Sequence, residues 1–130
     1  MIYLDASALV TMVVDRRFAD AMRQFLADHA AERTSTSAVG MVETVRACDQ
    51  LGTYPNLMAE LVREHKEIRV TRAVRDLAAS LPGSLRTLDA LHIASAEQFG
   101  PELTALVTYD KRMAEVARQR GLPVAMPGME

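Results

Sequence analysis

Four carboxylates in this chain stand among apolar neighbours. Asp5 lies in Ile-Tyr-Leu-Asp-Ala-Ser, Glu43 in Met-Val-Glu-Thr-Val, Asp89 in Thr-Leu-Asp-Ala-Leu-His-Ile-Ala, and Asp110 in Leu-Val-Thr-Tyr-Asp. A carboxylate flanked by core-type residues must be desolvated, paired or metal-bound, because a lone buried charge is expensive. If strand ends and helix faces bring all four together, their repulsion makes a divalent cation a better partner than an arginine. An all-oxygen, carboxylate-rich site suits Mg²⁺ or Mn²⁺ rather than zinc. Two such ions, about 3.5–4 Å apart, would activate a water and stabilise the leaving oxygen of a phosphodiester.

Each acid has a plainer reading as well. Asp5 could begin a turn, Asp110 could cap a helix, and Asp89 could be a first-turn acid favoured by the helix dipole. Glu43 could pair with Arg46 or Arg86. The other acids need no special account: Glu60, Glu64 and Glu67 alternate with Arg63 and Lys66 as a solvated face.

The elements that must position these groups are readable from apolar spacing. Met1 to Leu4 is a strand-like run ending at Asp5, and Ser7 is expected to cap a helix through Val14. Phe18, Met22, Phe25 and Leu26 mark one face of a second helix. Arg33 to Thr36 reads as a brief polar but β-tolerant link, and Ser37 opens a helix that Gly52 ends. Pro55 precedes a helix carrying Leu57, Met58, Leu61 and Val62. Ile68 to Val70 reads as a buried strand. Thr71 caps a helix from Arg72 to Ser80, and Thr87 a helix from Leu88 to Phe99. Leu103 to Thr108 is a strand, Asp110 caps a helix through Arg120, and Val124 to Met126 is a last short strand. Strands alternating with helices imply an α/β fold with a mainly parallel sheet flanked by helices, whose chemistry gathers at the carboxyl ends of the strands. Asp5 and Asp110 lie at two such ends.

Composition narrows the classes. The chain has 130 residues, 49% hydrophobic and 25% charged, with a net charge of −2. That length favours one domain over residues 1–130, with no repeat or linker to divide it. The balance of apolar and charged residues excludes a disordered chain, and no apolar run approaches a membrane span. The start lacks the basic region of a signal peptide, and the single Cys48 cannot form an intrachain disulfide; a cytoplasmic location is expected. Three histidines and one cysteine, far apart, carry no zinc signature.

At the four acids the sequence resembles the PIN-domain ribonucleases, specifically the VapC toxins of toxin–antitoxin pairs. Tyr-Leu-Asp-Ala-Ser-Ala-Leu-Val (3–10) is similar to the family's first strand, and Glu43 lies mid-helix as its second acid does. Leu-Arg-Thr-Leu-Asp-Ala-Leu-His-Ile-Ala (85–94) resembles the third motif. Val-Thr-Tyr-Asp-Lys-Arg-Met-Ala (107–114), followed by Gly-Leu-Pro-Val (121–124), resembles the fourth. Thr11 departs from the pattern, since many relatives carry Lys there. The resemblance implies a PIN-like α/β/α sandwich, a Mg²⁺- or Mn²⁺-dependent endoribonuclease, a homodimer, and inhibition by a VapB antitoxin. It implies Asp5, Glu43, Asp89 and Asp110 as catalytic and metal-binding residues, with Ser7 and Thr108 as supporting hydroxyls. Arg86, Lys111 and Arg112, beside motif acids, are the first choices for RNA-phosphate contact.

His92, one turn after Asp89, is read as a packed or partly exposed helix histidine rather than a ligand, and His29 and His65 as surface residues. Cys48 and the helix methionines, Met22, Met41, Met58 and Met113, read as core or dimer packing. Two rival functions are a receiver-like signalling domain with a phospho-accepting Asp, and a PIN domain that only binds RNA or a partner. The first wants two adjacent acids after the first strand, and Asp5 has no acidic neighbour. Setting the quartet aside leaves 13 acidic against 15 basic residues, 13 of them Arg, so the net negative charge resides in the proposed site.

Overall fold

The computed structural model describes all 130 residues. Its strands are β1 (Ile2–Leu4), β2 (Thr34–Ser37), β3 (Lys66–Ile68), β4 (Ala105–Val107) and β5 (Val124–Ala125). Its helices are α1 (Ala6–Val13), α2 (Ala19–Asp28), α3 (Ala38–Asp49), α4 (Leu57–Glu64), α5 (Arg72–Ser80), α6 (Thr87–Glu97) and α7 (Lys111–Gln119), with a short 3₁₀ turn at Gly100–Glu102. All strand pairs are parallel, in the order β3-β2-β1-β4-β5. The chain therefore winds outward from β1 to β3, returns to the centre, and winds outward again through β4 and β5. The reversal falls between β1 and β4, where a crevice opens at the carboxyl edge of a parallel sheet.

Alternation along the central strands makes two cores. Ile2 and Leu4, with Ala105 and Val107, pack with Leu9, Met22, Met41, Cys48, Leu57 and Leu61 from α1 to α4. Tyr3 and Leu106 face the other way, onto Ile93 and Ala96 of α6 and Met113 and Ala117 of α7, with Leu81 and Leu85 from the segment before α6. This is the expected PIN-like α/β/α sandwich. Met22, Met41 and Met113 fill its core, whereas Met58 is exposed.

Four local expectations require correction. Arg33–Thr36 is largely a strand, not a link: β2 lies between β1 and β3, and Ser35, Thr36 and Ser37 are fully buried. Small hydroxyls fit that tight space, as where the Ser35 hydroxyl donates to the Ile2 carbonyl at 3.2 Å. The buried strand expected at Ile68–Val70 runs instead from Lys66 to Ile68 along the sheet's edge, with Lys66 and Glu67 exposed, and Val70 lies exposed beyond its end. Asp5, not Ser7, caps α1, accepting from the Ala8 amide at 2.9 Å. Thr87 starts α6 rather than capping it; Arg86 occupies the cap position without a side-chain bond to the helix backbone. Ser37, Thr71 and Asp110 cap α3, α5 and α7 as expected.

Candidate active site

Leu4 pairs with Val107 in the β1–β4 register, so the next residues, Asp5 and Thr108, meet at the carboxyl edge of the sheet. Asp5 is 3% exposed. Its Oδ2 accepts from the Thr108 hydroxyl at 2.5 Å, and its Oδ1 accepts from the Ser7 hydroxyl at 2.7 Å and from the Ala8 amide. Both hydroxyls are themselves oriented: the Tyr109 amide donates to Ser7 Oγ at 2.9 Å, and the Asp110 amide to Thr108 Oγ1 at 3.0 Å. Burial pushes the Asp5 carboxyl above its ordinary range, against the opposing pull of His92 and of these hydrogen bonds. No arginine or lysine pairs with it. Tyr109, between the two motif residues, has its phenol pushed up to about 12 by partial burial and the Asp5 charge.

Asp110 lies one step beyond. Its Oδ1 accepts from the Arg112 and Met113 amides at the start of α7, which leaves Oδ2 for Arg86. The Arg86 guanidinium bridges two quartet members, with Nη2 2.7 Å from Asp110 Oδ2 and Nε 2.9 Å from Asp89 Oδ2. Asp89 is buried in the first turn of α6, which fits a carboxylate near a helix N-terminus. Arg86, Asp110, Lys111 and Arg112 together line an open, wholly polar depression of about 360 Å³.

Glu43 stands on α3, in the opposite helical layer. Its partner is neither Arg46 nor Arg86: Glu43 Oε1 lies 2.7 Å from His92 Nε2. His92 is 1% exposed, and its Nδ1 meets the Tyr3 hydroxyl at 2.7 Å, the rings in edge contact. Tyr3 OH accepts in turn from the Ser37 amide at 3.1 Å. Burial holds the Tyr3 phenol far above its ordinary pKa, so it remains protonated. The reading of His92 as a packed helix residue stands, but its two polar contacts were not foreseen. The signal was available, since Leu-His-Ile-Ala is as apolar a setting as those that singled out the four acids.

His65 differs from its expected surface role. Its side chain is 8% exposed, its Nδ1 meets the Thr34 hydroxyl at 2.7 Å, and burial lowers its pKa against the opposing influence of Glu64. It lies in the loop between α4 and β3, outside the quartet.

Thr108 thus holds Asp5 at the end of the central strands, Arg86 joins Asp110 to Asp89, and His92 holds Glu43. As these side chains stand, no three Asp, Glu, His or Cys groups are close enough to enclose a metal ion. The donor chemistry nevertheless fits a hard divalent cation: all four side chains offer carboxylate oxygens, and Asp5 is buried without a cationic partner. Arg86 is exposed and can leave Asp89 and Asp110 without disturbing the core.

Comparison with known proteins agrees with this architecture. The PIN domain model matches residues 2–119. Ribonuclease VapC46 of Mycobacterium tuberculosis (strain ATCC 25618 / H37Rv) is 38% identical over 128 residues, 97% of each chain. Ribonuclease VapC35 of the same strain is 39% identical over 136 residues, 98% of each, and Ribonuclease VapC47 of strain CDC 1551 / Oshkosh is 35% identical over 133 residues, 98% of each. The solved structure of FitAB bound to IR36 DNA fragment superposes with a TM-score of 0.69 at 15% identity, covering 96% of this chain and 94% of that one, a likeness of fold. The matched length, the parallel sheet and the ordered motifs lead to one assignment: the chain belongs to the PIN-domain family, among the VapC ribonucleases.

Proposed function

We propose that this protein is a divalent-metal-dependent endoribonuclease, the toxin of a VapBC-type pair. The observation that carries the reading is the near-full-length similarity to VapC ribonucleases; it is supported by Asp5 and Asp110 following the paired strands β1 and β4, and by Arg86 joining Asp110 to Asp89.

Mg²⁺ or Mn²⁺ held by the four carboxylates would supply Lewis-acid polarisation of the scissile phosphate and of an attacking water. The protein's own contribution is preorganisation. Asp5 is fixed by three donors, which removes the cost of orienting it during the reaction. Asp110 spends one oxygen on the α7 cap and keeps the other free once Arg86 moves. Arg86, freed from the two aspartates, has Lys111 and Arg112 beside it, and this basic cluster suits phosphate oxygens of an RNA backbone. Ser7 and Thr108 act as hydroxyl supports, through the hydrogen bonds already described.

The proposed partner is a VapB-type antitoxin. Beside Glu43 an apolar groove of about 610 Å³, lined by Ala38, Val39, Val42, Arg46 and Leu88, could receive an apolar anchor from it. A homodimer and a cytoplasmic location belong to the same proposal. No helix is long and apolar enough to cross a membrane.

The test is cleavage of total RNA by the purified protein with Mg²⁺ or Mn²⁺, beside Asp5→Asn and Asp89→Asn. Cleavage that needs the metal and is lost in both folded variants is the expected result. Wild-type cleavage by either variant would overturn the assignment. A mass gain on one Asp after incubation with a small phosphodonor would instead favour the receiver-like reading.

A further inference from the structure

His92 is buried, polar and in contact with Glu43, yet the proposed chemistry does not use it. We infer that His92 is a positioning residue for Glu43, its Nε2–H tautomer fixed between Tyr3 and the Glu43 carboxylate; this rests on the nuclease reading above.

The argument follows the protons. The Ser37 amide donates to the Tyr3 oxygen, and the phenol proton is then available to His92 Nδ1 at 2.7 Å. An imidazole accepting at Nδ1 carries its hydrogen on Nε2, which donates to Glu43 Oε1 at 2.7 Å. Each member is fixed by its surroundings. Tyr3 is fully buried in a central strand, and His92 sits on α6 beneath α3. Gly40 on α3 makes room for the ring, because a Cβ there would stand 2.8 Å from His92 Cε1 and collide with Thr36 Oγ1.

The Glu43 carboxylate is only half-buried and belongs to α3, whereas Asp89 belongs to α6. Without the His92 bond, Glu43 would have only its flexible stem to hold it toward the other acids. The bond fixes one oxygen and leaves the other available. A second group that orients a metal-binding carboxylate in this way typically matters about 10–100-fold in metal affinity or activity.

The test uses the full chain, Mn²⁺ alone as the binding probe, and RNA cleavage as a second readout. His92→Leu is expected to weaken Mn²⁺ binding in calorimetry and to lower kcat, each about 10–100-fold, with KM for RNA nearly unchanged. His92→Gln, whose amide can donate to Glu43, should recover most of both. In a Glu43→Gln background the effect of His92→Leu should disappear. Nitrogen NMR of the imidazole should report a hydrogen on Nε2, the atom that faces Glu43. A folded His92→Leu with wild-type Mn²⁺ affinity and kcat, or an equal loss in the Glu43→Gln background, overturns the proposal. If His92→Leu does not fold, the NMR tautomer decides: an imidazole with its hydrogen on Nδ1 alone cannot donate to Glu43 and overturns the proposal. Failure of the underlying reading is distinct, for then Glu43→Gln itself binds Mn²⁺ and cleaves RNA like the wild type.

Discussion

The Arg86 guanidinium lies 2.7 Å from Asp110, 24 residues away, while its other edge holds Asp89 at 2.9 Å. One internal cation thus stands between two acids that the proposed reaction needs for a metal. The Arg86 side chain is 71% exposed, so the pairing is worth at most about 1 kcal/mol and is released cheaply. Arg86→Gln should therefore bind Mn²⁺ alone up to about five-fold more tightly, the factor that 1 kcal/mol represents. The same variant should raise KM for RNA and flatten its salt dependence. Calorimetry and cleavage across a salt series check both signs; weaker Mn²⁺ binding would contradict the bridging role.

Asp5→Asn should abolish cleavage while leaving the fold intact. The carboxyl is buried and its pKa raised, so folding favours the neutral form and the ionised group costs stability at neutral pH. The thermal midpoint should equal or exceed that of the wild type. Addition of Mn²⁺ should then raise the wild-type midpoint, by mass action, and not that of Asp5→Asn. A thermal-shift series with and without the metal checks the midpoints, and an RNA cleavage assay of both proteins checks the activity.

Thr108→Val keeps the shape of a fully buried residue but removes the hydroxyl that donates to Asp5. The Asp110 amide loses its acceptor too. We expect a loss of about 1–3 kcal/mol in stability from the orphaned groups, measured by urea unfolding. Activity should fall by more than the unfolded fraction accounts for, because Asp5 and Asp110 are held by the same oxygen.

Thr36 gives the opposite sign. Its hydroxyl is buried and has no hydrogen-bond partner. Thr36→Val replaces it with a methyl of the same shape in a β-strand, and should stabilise the protein by about 1 kcal/mol. A fall in the urea midpoint would mean that the hydroxyl finds a partner in solution.

His65 sets an acid limit on stability. Its folded pKa is depressed by burial, so below the ordinary histidine value of about 6.5 the unfolded chain takes up a proton that the native chain refuses. Stability contributed by the neutral ring is therefore complete above that value, and is lost as pH falls from it toward the depressed native pKa. Chemical denaturation between neutral and mildly acid pH should show a slope that His65→Gln removes.

Much of this arrangement was legible in the residues themselves. Asp5 and Asp110 announced the two strand ends through the apolar runs before them, and Asp89 and Glu43 stood out by their neighbours. The caps at Ser37, Thr71 and Asp110 followed from local chemistry alone. β2 was hidden because its residues, Thr34 to Ser37, carry no apolar signal; pairing with β1 and β3 makes them a strand. The partners of the acids were hidden for a related reason. Thr108 reaches Asp5 across 103 residues and His92 reaches Glu43 across 49, distances over which no spacing rule operates.

The reversal between β1 and β4 bears on the order in which the protein comes into being. Asp5 is made 103 residues before Thr108, which follows β4 and completes its surroundings. A growing chain that has not yet produced β4 has neither Thr108 to hold Asp5 nor Asp110 to join it. The setting of Asp5 is therefore complete only once the whole span between Asp5 and Thr108 has been synthesised.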